Sequence, residues 1–113
     1  MSTGRRVSMV AEQIRDIMAM HLQEVSDPRF SLVTVTSVQV THDLGYAKVY
    51  WSVMGDQARI PEVEAAFDSA SGMFRQVIAR KLGVRYVPEI KFFYDDTLDE
   101  MEKIDKLLKK ASS

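Results

Sequence analysis

Residues 61–83 have the sequence PEVEAAFDSASGMFRQVIARKLG, and the helical pattern of this stretch, with its interruption, is the main indication of the fold. Its apolar residues keep helical spacing for about six turns of 3.6 residues each. The run Ala70-Ser71-Gly72 interrupts this pattern, because glycine inside a helix costs about 1 kcal/mol relative to alanine and Gly/Ser pairs are common kink sites. We therefore expect two helices, at residues 61–70 and 73–82, joined at a kink.

Upstream of this segment, two stretches alternate between apolar and polar residues, as β-strands with one buried face do. The first stretch, residues 32–41, changes phase between Val35 and Val38. One extra residue near Thr36 and Ser37 would return the side chains to the same face as a β-bulge. The second stretch follows a glycine-containing turn directly, so we expect the two strands to form a hairpin.

The remaining elements flank this hairpin and the helix pair. An amphipathic helix is predicted for residues 5–25, and a third strand follows Pro88, which suits an edge strand or the first position of a strand. A last helix at about residues 97–110 begins at Thr97, and Glu100 would complete a capping box there. The order α-β-β-α-kink-α-β-α predicts an α+β fold in which helices cover a three-stranded sheet.

The composition is that of one ordinary folded domain. Of the 113 residues, 46% are hydrophobic and 27% charged, and we expect a single domain over residues 1–113 with its core at about 5–95. The absence of cysteine excludes disulfides, thiol catalysis and cysteine-based metal sites. No apolar run is long enough to cross a membrane, and the first residues lack the apolar core of a secretory signal, so we expect a cytoplasmic protein.

Charge is segregated along the chain, although the formal net charge is only −1. Between residues 69 and 94, five basic residues stand against one acid, a local charge of +4, whereas residues 95–105 are strongly acidic. A basic face on a nearly neutral molecule favours a shaped binding site over non-specific attraction to nucleic acid.

The interruption at Ala70-Ser71-Gly72 is the feature that most needs a functional reason. Small residues let a phosphate backbone approach the main chain, and the N–H groups at the start of a second helix would favour an anion. Arg75 lies one turn beyond the interruption, where it suits a phosphate contact. The alternative is structural: Gly72 permits tight packing against the sheet, and the arginines form a solvated face.

Catalytic patterns are absent from the sequence. It contains no phosphate-binding glycine loop, no dinucleotide-binding fingerprint and no HExxH pair. A site built on His42, Asp43 and Asp95 is the enzyme hypothesis that the residues leave open, although Asp and Gly in a hairpin turn serve the backbone first. We expect neither an enzyme nor a bound metal or cofactor.

Seven groups of short segments carry a resemblance to a known family. They are Arg6-Val7, Asp27-Pro28-Arg29, Val33-Thr34-Val35-Thr36 with Val38, Asp43-Leu44 with Ala47-Lys48-Val49-Tyr50, Ala70-Ser71-Gly72 with Phe74-Arg75, Arg85-Tyr86-Val87-Pro88-Glu89-Ile90, and Phe92-Phe93-Tyr94-Asp95. In this order and spacing they resemble the ribosome-binding factor A family over about residues 5–108. The resemblance implies a type II KH-like fold, in which a helix–kink–helix replaces the GxxG loop of KH domains.

The resemblance also implies a function. Members of this family are bacterial ribosome biogenesis factors without catalytic activity or cofactor. They bind the free small (30S) subunit and its 16S rRNA, assist late rRNA processing, act in cold shock and adaptation, and leave in a step linked to a ribosome-associated GTPase. Carried over residue by residue, the RNA-binding set is Arg5, Arg6, Ser71, Gly72, Arg75, Arg80, Lys81 and Arg85.

We expect a monomer. The alternative function is a protein-interaction or dimerisation module that uses the sheet edge or the C-terminal helix without direct RNA contact.

Overall fold

The computed structural model describes residues 2–112, with side chains described for residues 4–111. Across this part of the chain, the structure contains three long helices, three strands and two single-turn 3-10 helices. The elements are α1 (Ser2–Glu24), β1 (Val33–Val40), β2 (Tyr46–Val53), α2 (Ile60–Leu82), β3 (Glu89–Tyr94) and α3 (Thr97–Ser112), with the 3-10 helices at Pro28–Phe30 and Gln57–Arg59. The predicted α+β class is confirmed, and a KH-like fold is consistent with this order.

The strands form one sheet in the order β1-β2-β3. β1 runs antiparallel to β2, and the register slips between Val35 and Ser37, which confirms the predicted bulge and places the extra residue at Thr36. β3 lies parallel to β2, so the chain needs a crossover between them, and α2 supplies it. Pro88 directly precedes β3, which is an edge strand. This position suits proline, because proline has no backbone N–H to donate within a sheet.

One face of the sheet packs against the apolar faces of α1 and α2 to form the core. β2 contributes Ala47, Val49 and Trp51, each at most 1% exposed. Phe67 and Phe74 of α2 meet this face in an aromatic cluster, in which the Phe67 ring centroid lies 5.3 Å from that of Trp51. This packing fixes which side of α2 faces inward and leaves its opposite side to solvent.

Helix α2 is continuous from Ile60 to Leu82, so the predicted division into two helices is wrong. The small-residue interruption at residues 70–72 costs about 1 kcal/mol locally. Burial of Phe67 and Phe74, on either side of it, contributes about 1.5–3 kcal/mol for each ring. Burial therefore outweighs the local cost, and one helix carries both rings into the same core. A bend within this continuous helix at residues 70–72 stays a prediction.

Helix α3 projects from the rest of the chain. Its first turn is tied to the body through Asp99, which accepts hydrogen bonds from the Tyr94 hydroxyl and, at 3.0 Å, from the Gln57 side-chain amide. Beyond that turn, every side chain from residue 100 to residue 111 is exposed. The radius of gyration is 16.3 Å, against about 13 Å for a compact domain of this length. A projecting helix accounts for that difference.

The start of α3 differs from the predicted capping box. The Asp95 carboxylate accepts hydrogen bonds from the backbone N–H and the hydroxyl of Thr97. The same carboxylate accepts a hydrogen bond of 2.6 Å from the hydroxyl of Thr36, so it links the β1 bulge to the helix start. Glu100 instead accepts a hydrogen bond from Lys103 at 3.4 Å, and the expected capping by Thr97 and Glu100 is wrong.

Candidate nucleic-acid interface

The outward face of α2 carries the predicted contacts that follow the interruption. Gly72, Arg75 and Arg80 are all exposed, away from the buried rings of Phe67 and Phe74. Because Arg75 and Arg80 are five residues apart, they point about 140° apart around a helix of 3.6 residues per turn. Gly72 falls between them by the same geometry. Along the axis both arginines lie on the C-terminal side of Gly72, about 4.5 Å and 12 Å away at 1.5 Å per residue. The helix therefore presents a bare stretch of backbone followed by two exposed arginines, and we call these residues the α2 patch (Gly72, Arg75 and Arg80).

Gly72 has no packing role in the described part of the chain. A Cβ placed on this glycine meets no heavy atom within 4 Å. The alternative in which Gly72 permits tight packing against the sheet is therefore wrong. Since glycine inside a helix still costs about 1 kcal/mol relative to alanine, the reason for its presence lies outside the packing of the domain.

Ala70 and Ser71 are less accessible than Gly72, and both are half-buried. The Ser71 hydroxyl donates a hydrogen bond of 3.1 Å to the backbone carbonyl of Asp68. Serine contacts of this kind often bend helices, and here the contact uses the hydroxyl proton inside the helix. The structure thus makes Gly72, rather than Ser71, the centre of the patch.

A second basic group forms where Arg6 and Arg85 come together, although they lie far apart in the sequence. Both line a cavity of about 240 Å³ between the start of α1, the end of α2 and the hairpin turn. Arg80 and Lys81 are exposed in the last turn of α2, which ends at this cavity. Arg5 is exposed beside Arg6 but does not line the cavity. The predicted residues therefore fall into two neighbouring groups that Arg80 and Lys81 connect.

Tyr86 is a candidate contact that sequence reasoning missed. Its side chain is 78% exposed and lines the same cavity. The Arg85 guanidinium carbon lies 5.5 Å from the centroid of its ring, within the range of a cation–π contact. An exposed aromatic ring beside an arginine can stack on an unpaired base while the arginine holds a phosphate. The sequence feature that could have identified Tyr86 is its position next to Arg85, inside the segment of local charge +4.

Asp43 places a carboxylate at the wall of this cavity. It accepts hydrogen bonds from the Thr41 hydroxyl at 2.8 Å and from the Gly45 N–H at 3.0 Å. These two bonds lower the pKa of Asp43 below its usual value. Asp43 is therefore a turn residue, as the sequence predicts, and stays ionised as it holds the hairpin.

The three residues of the enzyme hypothesis do not meet. His42 and Asp43 lie in the hairpin turn that precedes β2, whereas the Asp95 N–H donates to the carbonyl of Trp51 near the far end of that strand. Tyr46 and Trp51 are five positions apart along β2, a distance of about 17 Å. Among the residues that the structure describes, no group of three or more His, Asp or Glu side chains could hold a metal ion. No described helix has the length and apolar character to span a membrane.

Comparison with known proteins connects this geometry to a family. The family model for ribosome-binding factor A matches residues 6–108. This chain belongs to the ribosome-binding factor A family. The Halothermothrix orenii factor is 41% identical over 103 residues, which cover 91% of this chain and 82% of the relative. The Desulfatibacillum aliphaticivorans factor is 35% identical over 108 residues, which cover 96% of this chain and 88% of the relative.

Solved structures of ribosome-binding factor A proteins share the fold. The solution structure of a putative member from Thermotoga maritima has a TM-score of 0.70 and 33% identity, covering 78% of this chain and 85% of that one. The crystal structure of the Thermus thermophilus factor has a TM-score of 0.69 and 23% identity, covering 78% of this chain and 94% of that one. A homology model of the Thermus thermophilus factor was fitted into a cryo-EM map of a 30S complex. It has a TM-score of 0.64 and 24% identity, covering 75% of this chain and 90% of that one.

Proposed function

We propose that this chain is a ribosome assembly factor that binds the free small (30S) ribosomal subunit through its 16S rRNA. The observation that carries the proposal is Gly72, an exposed glycine inside a continuous helix, without a packing role and followed by the exposed Arg75 and Arg80. Membership of the ribosome-binding factor A family supports the same function. So does the 30S complex of the Thermus thermophilus relative. The proposal includes no enzymatic step and no cofactor.

The α2 patch suits the close approach of an RNA backbone. At Gly72 no side chain keeps a phosphate away from the helix, and Arg75 and Arg80, further along α2, can donate charge-assisted hydrogen bonds to phosphate oxygens. Because α2 is continuous, no new helix N-terminus opens at residues 70–72. The predicted attraction of an anion to free N–H groups therefore does not apply, and the arginines supply the electrostatic part alone.

The cavity of Arg6 and Arg85 forms the second half of the proposed interface. Its guanidinium groups can hold phosphates while Tyr86 stacks on an unpaired base, which is the usual way that single-stranded rRNA is recognised. An RNA strand that runs along the α2 patch from Gly72 to Arg80 reaches this cavity at the end of α2, where Lys81 is also exposed. Phosphate contacts position the protein in this scheme, and the stacked base adds the preference for unpaired RNA.

Co-sedimentation of the purified protein with free small subunits, large subunits and whole ribosomes tests this function. We expect selective binding to free small subunits, lost in the charge-reversal variant Arg75→Glu/Arg85→Glu, whose circular dichroism stays that of the parent. Lys103→Glu/Lys106→Glu is the matched control, because it reverses two exposed charges on α3, away from the interface. Equal binding by the arginine variant would overturn the interface. Failure of the parent to bind small subunits at low salt would overturn the function.

The finer roles are part of the same proposal. They are late processing of 16S rRNA, adaptation to cold, action in the cytoplasm as a single-domain monomer, and release helped by a ribosome-associated GTPase. Cells that lack the protein are expected to accumulate unprocessed 16S rRNA and to grow slowly in the cold. The parent gene should restore both properties, and a gene that encodes Arg75→Glu/Arg85→Glu should restore neither.

A protein-interaction module is the second candidate function, and α3 favours it. An exposed apolar helix face is typical of a surface that binds a partner protein. The apolar residues of this helix, each 56–67% exposed, are Leu98, Met101, Ile104, Leu107 and Leu108. Association with a partner that survives nuclease and high salt, and that Ile104→Glu abolishes, would favour this function over RNA binding.

A further inference from the structure

The sheet has a second face that no described helix packs against. Along β2 and β3, alternate side chains point to this face, as the pleat of a strand requires. We call it the outer face, and it carries aromatic and basic residues and one acid: Tyr46, Lys48 and Tyr50 from β2, with Glu89, Lys91 and Phe93 from β3. The α2 patch lies on the other side of the molecule, because α2 covers the inner face. The outer face therefore has no part in the interface proposed above.

Tyr50 and Phe93 form an aromatic pair near the centre of the outer face. They are register partners on adjacent parallel strands, with ring centroids 5.8 Å apart and planes tilted by 34°. Phe93 is 43% exposed, whereas Phe92 beside it stacks on Phe67 in the core. The ring of Phe93 therefore does not serve the core, and it keeps much of its surface in water.

Lys48 and Lys91 form a second pair, one row away along the strands. They too are register partners, and like charges opposite each other destabilise a sheet. Lys91 has a weak ion pair with Glu89 at 3.7 Å, with both side chains about half exposed. No carboxylate of the described side chains lies within 4 Å of the Lys48 ammonium group. The stability of the sheet thus gives no reason for this lysine pair.

From this arrangement we infer that the outer face binds single-stranded RNA. Bases would stack on Tyr50 and Phe93, and Lys48 and Lys91 would hold the phosphates. Aromatic side chains on adjacent strands of an open sheet stack two or three bases in sheet-based RNA-binding domains. The lysine row lies two residues along the strands, about 7 Å from the aromatic row, within reach of the backbone of a stacked strand. Stacking of this kind is tolerant of sequence, because every base has a ring face.

The chemistry of the outer face favours RNA over a protein partner. Lysine is depleted at protein–protein interfaces, where its strongly hydrated ammonium group has to lose water. Phosphate contacts leave such groups partly hydrated and gain from counterion release. With the α2 patch on the opposite side, a domain that uses both surfaces would hold two RNA segments at once.

Titration of the isotopically labelled full chain with an oligouridylate tests the inference. A probe of about eight nucleotides fits the usual 4–16 nucleotide site of a stacking surface. We expect chemical-shift changes at the backbone amides of β2 and β3. From the shifts of the β2 and β3 amides, we expect Phe93→Ala/Lys48→Ala to bind the probe about tenfold more weakly or worse at the outer face, and Phe93→Trp to keep parental affinity there because it keeps a stacking ring.

The outcomes separate this inference from the proposed function. Arg75→Glu/Arg85→Glu should keep the shift changes on β2 and β3, although it loses small-subunit binding. Shift changes confined to α2 and to residues 85–86 of the parent would overturn the inference and leave the proposed function standing. Parental affinity at the β2 and β3 amides of Phe93→Ala/Lys48→Ala would also overturn it. The mapping on the parent protein decides the question even if the alanine variant fails to fold.

Discussion

Helices α2 and α3 are both amphipathic, yet only α2 buries its apolar residues. In α2, Phe67, Phe74 and Ile78 are at most 1% exposed, whereas in α3 every apolar side chain of residues 98–108 is at least 56% exposed. The two helices have the same kind of periodic pattern in the sequence. Helical periodicity therefore predicts a helix and its apolar side, but not whether another element of the fold packs against that side.

Topology explains the difference. Helix α2 connects β2 to the parallel strand β3, so the crossover holds both of its ends against the sheet. Helix α3 follows the last strand, and contacts of Asp95 and Asp99 fix its start. One helix is therefore part of the core, and the other is attached to the body at one end.

The largest expected effect is a loss of stability on truncation of Phe74 in α2. Phe74→Ala removes a fully buried ring and is expected to lower the free energy of unfolding by about 3–5 kcal/mol. Leu108→Ala on α3 is the matched change, and it should alter the same quantity by no more than about 0.5 kcal/mol. Urea unfolding followed by circular dichroism measures both. Similar losses in the two variants would mean that α3 is packed against the body.

Loss of the cap at the start of α3 comes next in size. Asp95→Ala removes the hydrogen bonds to Thr97 and Thr36, and the loss of a helix cap costs about 1 kcal/mol. Hydrogen exchange should become faster at the amides of α3, while the amides of α2 stay protected. Exchange that rises equally in both helices would show that α2 and α3 unfold as one unit, and would contradict the separate attachment of α3.

Gly72→Ala is expected to change the stability of the domain and its binding to small subunits in opposite directions. Because a Cβ at Gly72 meets no neighbour, alanine there should stabilise the free domain by up to about 1 kcal/mol, yet weaken small-subunit binding. The control is Gly83, which ends α2 at φ +66°. Gly83→Ala should destabilise the domain by about 1 kcal/mol without a direct effect on the α2 patch. If Gly72→Ala left binding unchanged, close backbone approach at Gly72 would be wrong.

The smallest effect concerns the tie between Tyr94 and Asp99. The hydrogen bond from the Tyr94 hydroxyl to the Asp99 carboxylate, followed by desolvation, raises the pKa of Tyr94 to about 12. A pKa raised in the folded state stabilises the protein below the unfolded value near 10, and this contribution disappears as the pH rises towards 12. Ultraviolet titration of the tyrosines should show one group with this high pKa. Asp99→Asn should return it towards 10, and an unchanged titration would rule out the contact.

Much of the fold can be predicted from the sequence, because its causes are local. The phase change between Val35 and Val38 predicts the bulge at Thr36, and Gly83 after the last apolar residue of α2 predicts the helix end. The continuity of α2 could not be predicted, since it depends on burial of Phe67 and Phe74 in a core that local propensity does not describe. Nor could the parallel pairing of β3 with β2, which joins residues distant in the chain.

The candidate site divides in the same way. The exposure of Arg75 and Arg80 could be predicted from helical phase. The meeting of Arg6 with Arg85 could not, because it depends on how α1 crosses the end of α2. The packing-free position of Gly72 also needed the structure, since the sequence alone leaves its packing alternative open.

The salt dependence of small-subunit binding tests the central claim, that arginines beside the exposed glycine of α2 and at its end hold rRNA phosphates. The logarithm of the binding constant is measured against the logarithm of the salt concentration for the parent and for Arg75→Gln/Arg85→Gln. Each lost phosphate contact lowers the slope by about one, so we predict a slope smaller by about two and weaker binding at every salt concentration. An unchanged slope with unchanged affinity would show that these arginines do not contact rRNA and would contradict the account.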